Sequence, residues 1–228
     1  RRVADTAASS RAELSAKIQV GCSHELATVP FIPTPGLLYE KYSHMKTLGC
    51  SSVMQCWYFG NYPGIMNEAA GKLAFEDFKS GADEFLMKLA KPHWGANAGK
   101  IIKIWKAYAE GYKNYPLSNN MQYYGPMHSG TVWPLYLDIQ MRPLNPTWIP
   151  DTCPNGETIG EALENHTLDE ALMLSRLICE KIESVAPEIK DIEKSLSKDD
   201  TAAKLDLGLL KALRIQFESA RNIFEFYL

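Results

Sequence analysis

The spacing of apolar residues changes period along this chain. Residues 1–17, RRVADTAASSRAELSAK, put Val3, Ala7 and Leu14 on roughly one face, which predicts a helix already under way at the first residue. KIQVG follows, with Ile18 and Val20 apolar and Gly21 behind them, as in a short buried strand of a parallel sheet. A proline-studded loop over residues 30–35 leads to GLLYEKYSHMKTLG. There Leu38, Tyr42, Met45 and Leu48 recur at helical spacing, and Gly49 is placed to cap the carboxyl end. CSSVMQCWYFG then reads as a second strand through Val53, Met54, Cys56 and Trp57, and it ends in the turn-rich GNYPG. Two strands separated by one helix need a crossover, so they are expected to lie parallel and adjacent.

From about Glu68 the strand signals cease. One helical face collects Phe78, Ala82, Phe85, Leu86 and Leu89; the next collects Ile101, Ile104, Trp105, Tyr108 and Tyr112. Residues 115–157 are rich in Pro, Gly and aromatics and carry no period, which predicts a long loop. Tyr123, Tyr124, Trp133, Tyr136 and Trp148 within it argue that the loop is packed. Thr167-x-x-Glu170 is a capping box that opens a helix through Leu172, Ser175, Ile178, Ile182 and Val185, with a break at Pro187. A last helix from about Thr201 carries Leu205, Leu209, Leu213, Phe217 and Ala220. The expected fold class is therefore α/β plus α: βα units over residues 1–66 and a mainly helical domain over residues 67–228. The first element is met part-way through and without a Met, so the chain is expected to be the carboxyl-terminal portion of something longer.

Composition narrows the partners. At 228 residues, with 46% hydrophobic content and a formal charge of -3, the chain can bury a core, and its dispersed Lys and Arg form no footprint for a phosphate backbone or an anionic bilayer. Neither nucleic acid nor a membrane is an expected partner. Five Cys residues, an odd number with no C-x-x-C spacing, argue against a disulfide framework and against a structural zinc site. The expected setting is reducing and cytoplasmic, with no cofactor. Asn165-His166-Thr167 matches a glycosylation sequon, a three-residue pattern of little weight beside a helix start.

The chemistry-bearing residues gather behind the two strands. Glu25 follows the first strand by a few positions, where parallel α/β proteins keep acids, bases and nucleophiles; the same residue type also serves as a helix cap or salt-bridge partner in loops. His24 beside it reads as a structural histidine, since HELAT lacks the second His of a zinc-protease helix. Trp57 and Tyr58 close the second strand. A flat aromatic there makes a floor on which a sugar ring can stack, although burial between sheet and helices is the commoner fate of such a Trp. Cys22 and Cys56 stand near strand ends, but a buried Cys usually acts as a small hydrophobe. Ser23 lacks the second glycine of a nucleophile elbow.

The order of S-x-E-L-A-x-V-P-F-I-P after one strand, W-Y-F-G-N-Y-P-G after the next, then W-G, I-W-K-A-Y-A-E-G-Y-x-N-Y-P and Y-Y-G-P resembles the carboxyl-terminal part of bacterial glycoside hydrolase-like proteins. Those have a hexosaminidase-like (β/α)8 TIM barrel followed by a helical domain, an arrangement also seen in α-glucuronidases. The resemblance covers most of the chain to about Leu137. It implies that the two strands correspond to barrel strands seven and eight, with Glu25 in the place of a retaining nucleophile or sugar-binding carboxylate. Trp57 would then be the sugar platform, with Tyr58, Tyr62, Tyr124 and His128 at the rim. The implied partners are a carbohydrate substrate and the missing amino-terminal half of the barrel. Retaining cleavage needs a second carboxylic acid roughly 5 Å from the first, which in that clan lies on strand four, outside this sequence. Glu68 and Glu157 belong to later elements and lack that context. The alternative expectation is a non-catalytic carbohydrate-binding or assembly module.

Overall fold

The structure, a computed structural model, describes residues 1–21, 26, 29–55, 63–133, 135–137 and 159–228, without the side chains of residues 119, 123, 124 and 161. The chain divides into two compact units, one of residues 1–22 and 30–109, the other of residues 23–29 and 110–228. The fold is α-rich, and the strands among the described residues form one two-stranded parallel sheet.

In the first unit, helix α1 spans Arg2–Ser9 and strand β1 spans Leu14–Ile18. The helix therefore stops earlier than its apolar spacing suggested, Leu14 belongs to the strand, and Val20 lies beyond it. The backbone explains the stop. Arg11 adopts φ 55, its N–H donates to the Ala8 carbonyl and that of Ala12 to the Ala7 carbonyl, a Schellman turn that closes the last turn of α1. Helix α2 spans Pro35–Thr47, opened by a proline whose missing N–H costs nothing in a first turn. It is closed by Gly49 at φ 76, the capping role its position suggested. Strand β2, Cys50–Gln55, pairs with β1 in the expected parallel sense, in register from Ser15 opposite Ser52 to Ile18 opposite Gln55, with an irregularity between Leu14 and Ser15.

Helices α3, Ile65–Leu73, and α4, Ala82–Trp94, pack against α2 and against each other, burying Leu38, Leu73, Leu86 and Leu89. Phe78 is not on the face of α4. It sits in the connecting turn at φ 59, where its ring meets the edge of Tyr39 at 5.2 Å. Tyr39 also packs on Phe85, and its hydroxyl donates to the Ser80 carbonyl. Helix α5, Ala98–Tyr112, buries Ile101, Ile104, Trp105 and Tyr108 along its expected stripe, while Tyr112 stays half-exposed; the boundary between the two units falls inside this helix.

The second unit shows structure where the sequence has no period. Residues 115–133 hold helix α6, Asn119–Tyr124, helix α7, Pro126–Ser129, and a 3-10 turn over Gly130–Val132. These elements run three to six residues, too short for a 3.6-residue repeat to declare itself. Helix α8, Ile159–Leu163, precedes α9, Leu168–Glu183, whose capping box forms with both bonds: Glu170 N–H to Thr167 Oγ1 at 3.1 Å and Thr167 N–H to Glu170 Oε2 at 2.8 Å. Helix α10, Ala186–Ser195, begins at the break marked by Pro187. Helix α11 spans Thr201–Tyr227, about 40 Å of helix. It packs along α9, with Arg176 to Glu225 at 2.6 Å and Arg214 to Glu183 at 2.8 Å across the seam. Its buried stripe begins at Leu207 and runs through Leu210, Leu213, Phe217 and Ala220; Leu205, expected inside, is 70% exposed. No described helix is long and apolar enough to cross a membrane.

Candidate functional site

The sheet register fixes where a site can form in the first unit. Because Ile18 stands opposite Gln55, the segments leaving the carboxyl ends of β1 and β2 start about one strand spacing apart, ~4.8 Å. They meet again further on. A Cβ on Gly64 would lie 2.5 Å from Phe31 Cζ, and one on Gly21 would lie 3.1 Å from both Phe31 Cβ and Met66 Cβ. Phe31 is 4% exposed, so its ring is a fixed object against which both glycines press. The glycine at position 64 is required by this approach, since its own backbone is fully extended and open to any residue. Val20, Ile32 and Thr34 are buried as well.

The sequence-predicted residues divide as follows. Glu25, Trp57, Tyr58 and Tyr62 lie outside the described residues, as do Cys22, Ser23, His24, Cys56 and Glu157. Tyr124 ends α6 and His128 lies in α7, both in the second unit; the side chain of Tyr124 is not among those described. His128 is half-buried, and its carbonyl accepts a hydrogen bond from Gln216 Nε2 of α11 at 2.8 Å, with a second bond from the same nitrogen to the Met127 carbonyl at 3.1 Å. Gln216 is 3% exposed, so a buried amide pins the turn that bears His128. A Cβ on Gly130, at φ 56, would fall 2.0 Å from Gln216 Oε1, which makes glycine necessary there on both counts. Glu68, the remaining carboxylate considered as an acid, is held on α3 by His93 Nε2 at 2.7 Å and Lys72 Nζ at 3.3 Å.

The sequence gives less warning of a groove of about 350 Å³ beside β2 in the first unit. Ser51, Ser52 and Val53 form one side, while Lys46 of α2, Leu73 of α3 and Phe78 line it from the helices and the turn. Tyr42 and Gln55 join across it through a 2.5 Å bond from Gln55 Nε2 to the Tyr42 hydroxyl; burial pushes the Tyr42 phenol above its ordinary value. Lys46 Nζ donates to the Glu76 carbonyl at 3.2 Å and lies 5.4 Å from the centre of the Phe78 ring. Among the described residues no cluster of His, Cys, Asp or Glu could hold a metal ion.

No protein-family model, curated protein or solved structure matches the chain.

Proposed function

We propose that this chain is the carboxyl-terminal portion of a carbohydrate-active protein, with hydrolysis of O-glycosyl bonds as the activity of the whole and a (β/α)8 barrel as the fold its βα units complete. The observation that supports this reading is the convergence at the carboxyl end of the sheet: Ile18 and Gln55 end side by side, and the segments beyond them close on one another at Phe31, Gly21 and Gly64. Glu25 is borne on the first of these segments, Trp57 and Tyr58 on the second. In this reading Glu25 supplies the carboxylate, as nucleophile or as a hydrogen-bond acceptor for sugar hydroxyls. Trp57 stacks under the apolar face of the ring, with Tyr58 and Tyr62 at its rim. Tyr124 and His128 are the contribution assigned to the helical part.

The partner carboxylic acid that cleavage needs comes, in this reading, from polypeptide outside these 228 residues. The chain alone is therefore expected to bind glycan without turning over a panel of aryl glycosides. Calorimetric titration with oligosaccharides tests it: Trp57→Ala weakens binding while the thermal transition is unchanged. Binding of no glycan at all, or binding indifferent to Trp57, overturns the carbohydrate reading. Turnover by the isolated chain that is lost in Glu25→Gln overturns the division of labour and leaves a complete enzyme.

A further inference from the structure

The groove beside β2 lies wholly within the first unit, between α2, the strand and the turn that follows α3. A bulge shapes its strand side. Leu14 stands opposite Cys50 and Ser15 opposite Ser52, so Ser51 is an extra residue on β2, and Ser51, Ser52 and Val53 line the hollow in succession. The two serine hydroxyls are engaged with β1: Ser51 Oγ donates to the Leu14 carbonyl at 3.4 Å, and Ser52 Oγ is hydrogen-bonded to Ser15 Oγ at 2.7 Å. Met45, Val53, Leu73 and Ala74 give the groove an apolar side.

Two polar groups that line it are left without a counterpart. Tyr42 is 5% exposed, and its hydroxyl accepts from Gln55 Nε2 at 2.5 Å. A phenol donates as well as accepts, and no described residue takes this proton. Burial pushes the phenol above its ordinary value, so it stays protonated at neutral pH. One turn further along α2, Lys46 Nζ gives one of its three N–H bonds to the Glu76 carbonyl at 3.2 Å and lies 5.4 Å from the centre of the Phe78 ring. Among the described residues no carboxylate forms an ion pair with it. The carboxylate of Glu76 itself is felt at Tyr39, Asp77 and Lys88 and not at Tyr42.

A buried neutral donor and an unpaired cation on one helix face call for an anion. Residues four apart on a helix have Cβ atoms about 5–6 Å apart, so both donors can reach the two oxygens of one carboxylate. The groove's volume of about 350 Å³ falls in the range of small-molecule sites, roughly 300–1,000 Å³, which combine an apolar lining with a few placed polar groups. We propose that the groove binds a small monocarboxylate with an apolar body, its carboxylate between Tyr42 Oη and Lys46 Nζ and its body against Leu73 and Ala74. The inference does not depend on the carbohydrate reading, because none of these four residues lies on the segments that carry Glu25 and Trp57.

The test uses the 15N-labelled chain with two acids, hydrocinnamate and hexanoate, and with hydrocinnamide, which keeps the shape and carbonyl oxygen of the first acid and loses its charge. At least one acid at millimolar concentration is expected to shift the backbone resonances of residues 45–46, 50–53 and 73–78 to saturation. Hydrocinnamide is expected to bind about tenfold more weakly than hydrocinnamate. Lys46→Met is expected to weaken the acids about tenfold and to leave the hydrocinnamide affinity unchanged, whereas Tyr42→Phe, which keeps the ring and drops the donor, weakens all three. Ala74→Trp fills the hollow and abolishes binding. No saturable shift with either acid, equal binding of hydrocinnamate and hydrocinnamide, or acid affinity unaltered in both Lys46→Met and Tyr42→Phe overturns the proposal. The first two of these results come from the parent protein and hold whatever the stability of the variants.

Discussion

Replacing Gly64 with alanine tests the convergence on which the candidate site is built. Gly64 has φ 172 and ψ -176, an extended conformation that alanine adopts freely. In open space the change would stabilise the fold by about 0.4–1 kcal/mol by restricting the unfolded chain. Here the added Cβ falls 2.5 Å from Phe31 Cζ and 2.6 Å from Cε1, about 1 Å inside the optimum carbon–carbon separation. Phe31 is 4% exposed and has little room to yield, so the sign reverses: overpacking of this kind costs about 1–3 kcal/mol. Phe31→Leu removes the ring end that clashes and, at ~0.8 kcal/mol for each carbon-sized group, costs about 2 kcal/mol alone. The double variant is where geometry and generic destabilisation part. If Gly64 and Phe31 touch as described, the alanine finds space beneath the leucine, and the pair costs about 1–3 kcal/mol less than the sum of the two singles. Urea unfolding of the four proteins followed by circular dichroism, with the m-value held common, measures the cycle. Additivity within about 0.5 kcal/mol, or a Gly64→Ala protein as stable as the parent, would refute the contact and with it the closure of the two strand-end segments.

Arg11 occupies the left-handed position of a Schellman turn that glycine fills at little cost, so Arg11→Gly is expected to raise stability by about 1 kcal/mol, a melting shift of roughly 2–4 °C by calorimetry. Gln216→Leu strips the donor from the Met127 and His128 carbonyls in a buried setting and is expected to cost about 2–3 kcal/mol, with amide exchange accelerating at residues 127–133 before it does in α9. Acid is expected to weaken the fold. Asp77 is held down to about 2 by the Lys79 backbone N–H and side chain, and Glu170, Asp200 and Glu225 are lowered by their bonds to Thr167, Ser197 and Arg176. A carboxyl that titrates lower when folded contributes in full above its unfolded value and loses that contribution as pH falls through the folded one, for Asp77 between 3.8 and about 2. Melts from pH 6 to pH 2 that fail to fall, or that rise, contradict these assignments.

What the sequence shows and what it hides separate on physical lines. The helices α2, α5 and α9 are legible because each repeats its apolar stripe over three turns or more, and α9 adds a cap whose two bonds are local to Thr167 and Glu170. The parallel pairing of β1 with β2 follows from one intervening helix. The boundary of β1 is hidden because LSAKI, half-buried at alternate residues, is also consistent with a helical face when Val3 and Ala7 precede it; what ends the helix is a positive φ at an arginine, a residue type that gives no such signal. Phe78 misleads in the same way, since it lies four residues before Ala82 at helical spacing yet is turned out at φ 59 to cover Tyr39. On α11 a slide of two residues separates the expected stripe from the buried one at its start. A long helix offers two apolar faces there, and only contact with α9 chooses Leu207 over Leu205.

The candidate site is legible in a different sense. Glu25 and Trp57 draw notice through position alone, behind apolar runs, whereas the residues that tie their segments together, Gly21, Phe31 and Gly64, carry no chemistry and no period. A glycine needed for close approach to a ring 33 residues away is indistinguishable in sequence from a glycine needed for a turn, and NYPG reads as a turn. Tertiary proximity is the missing quantity in each case.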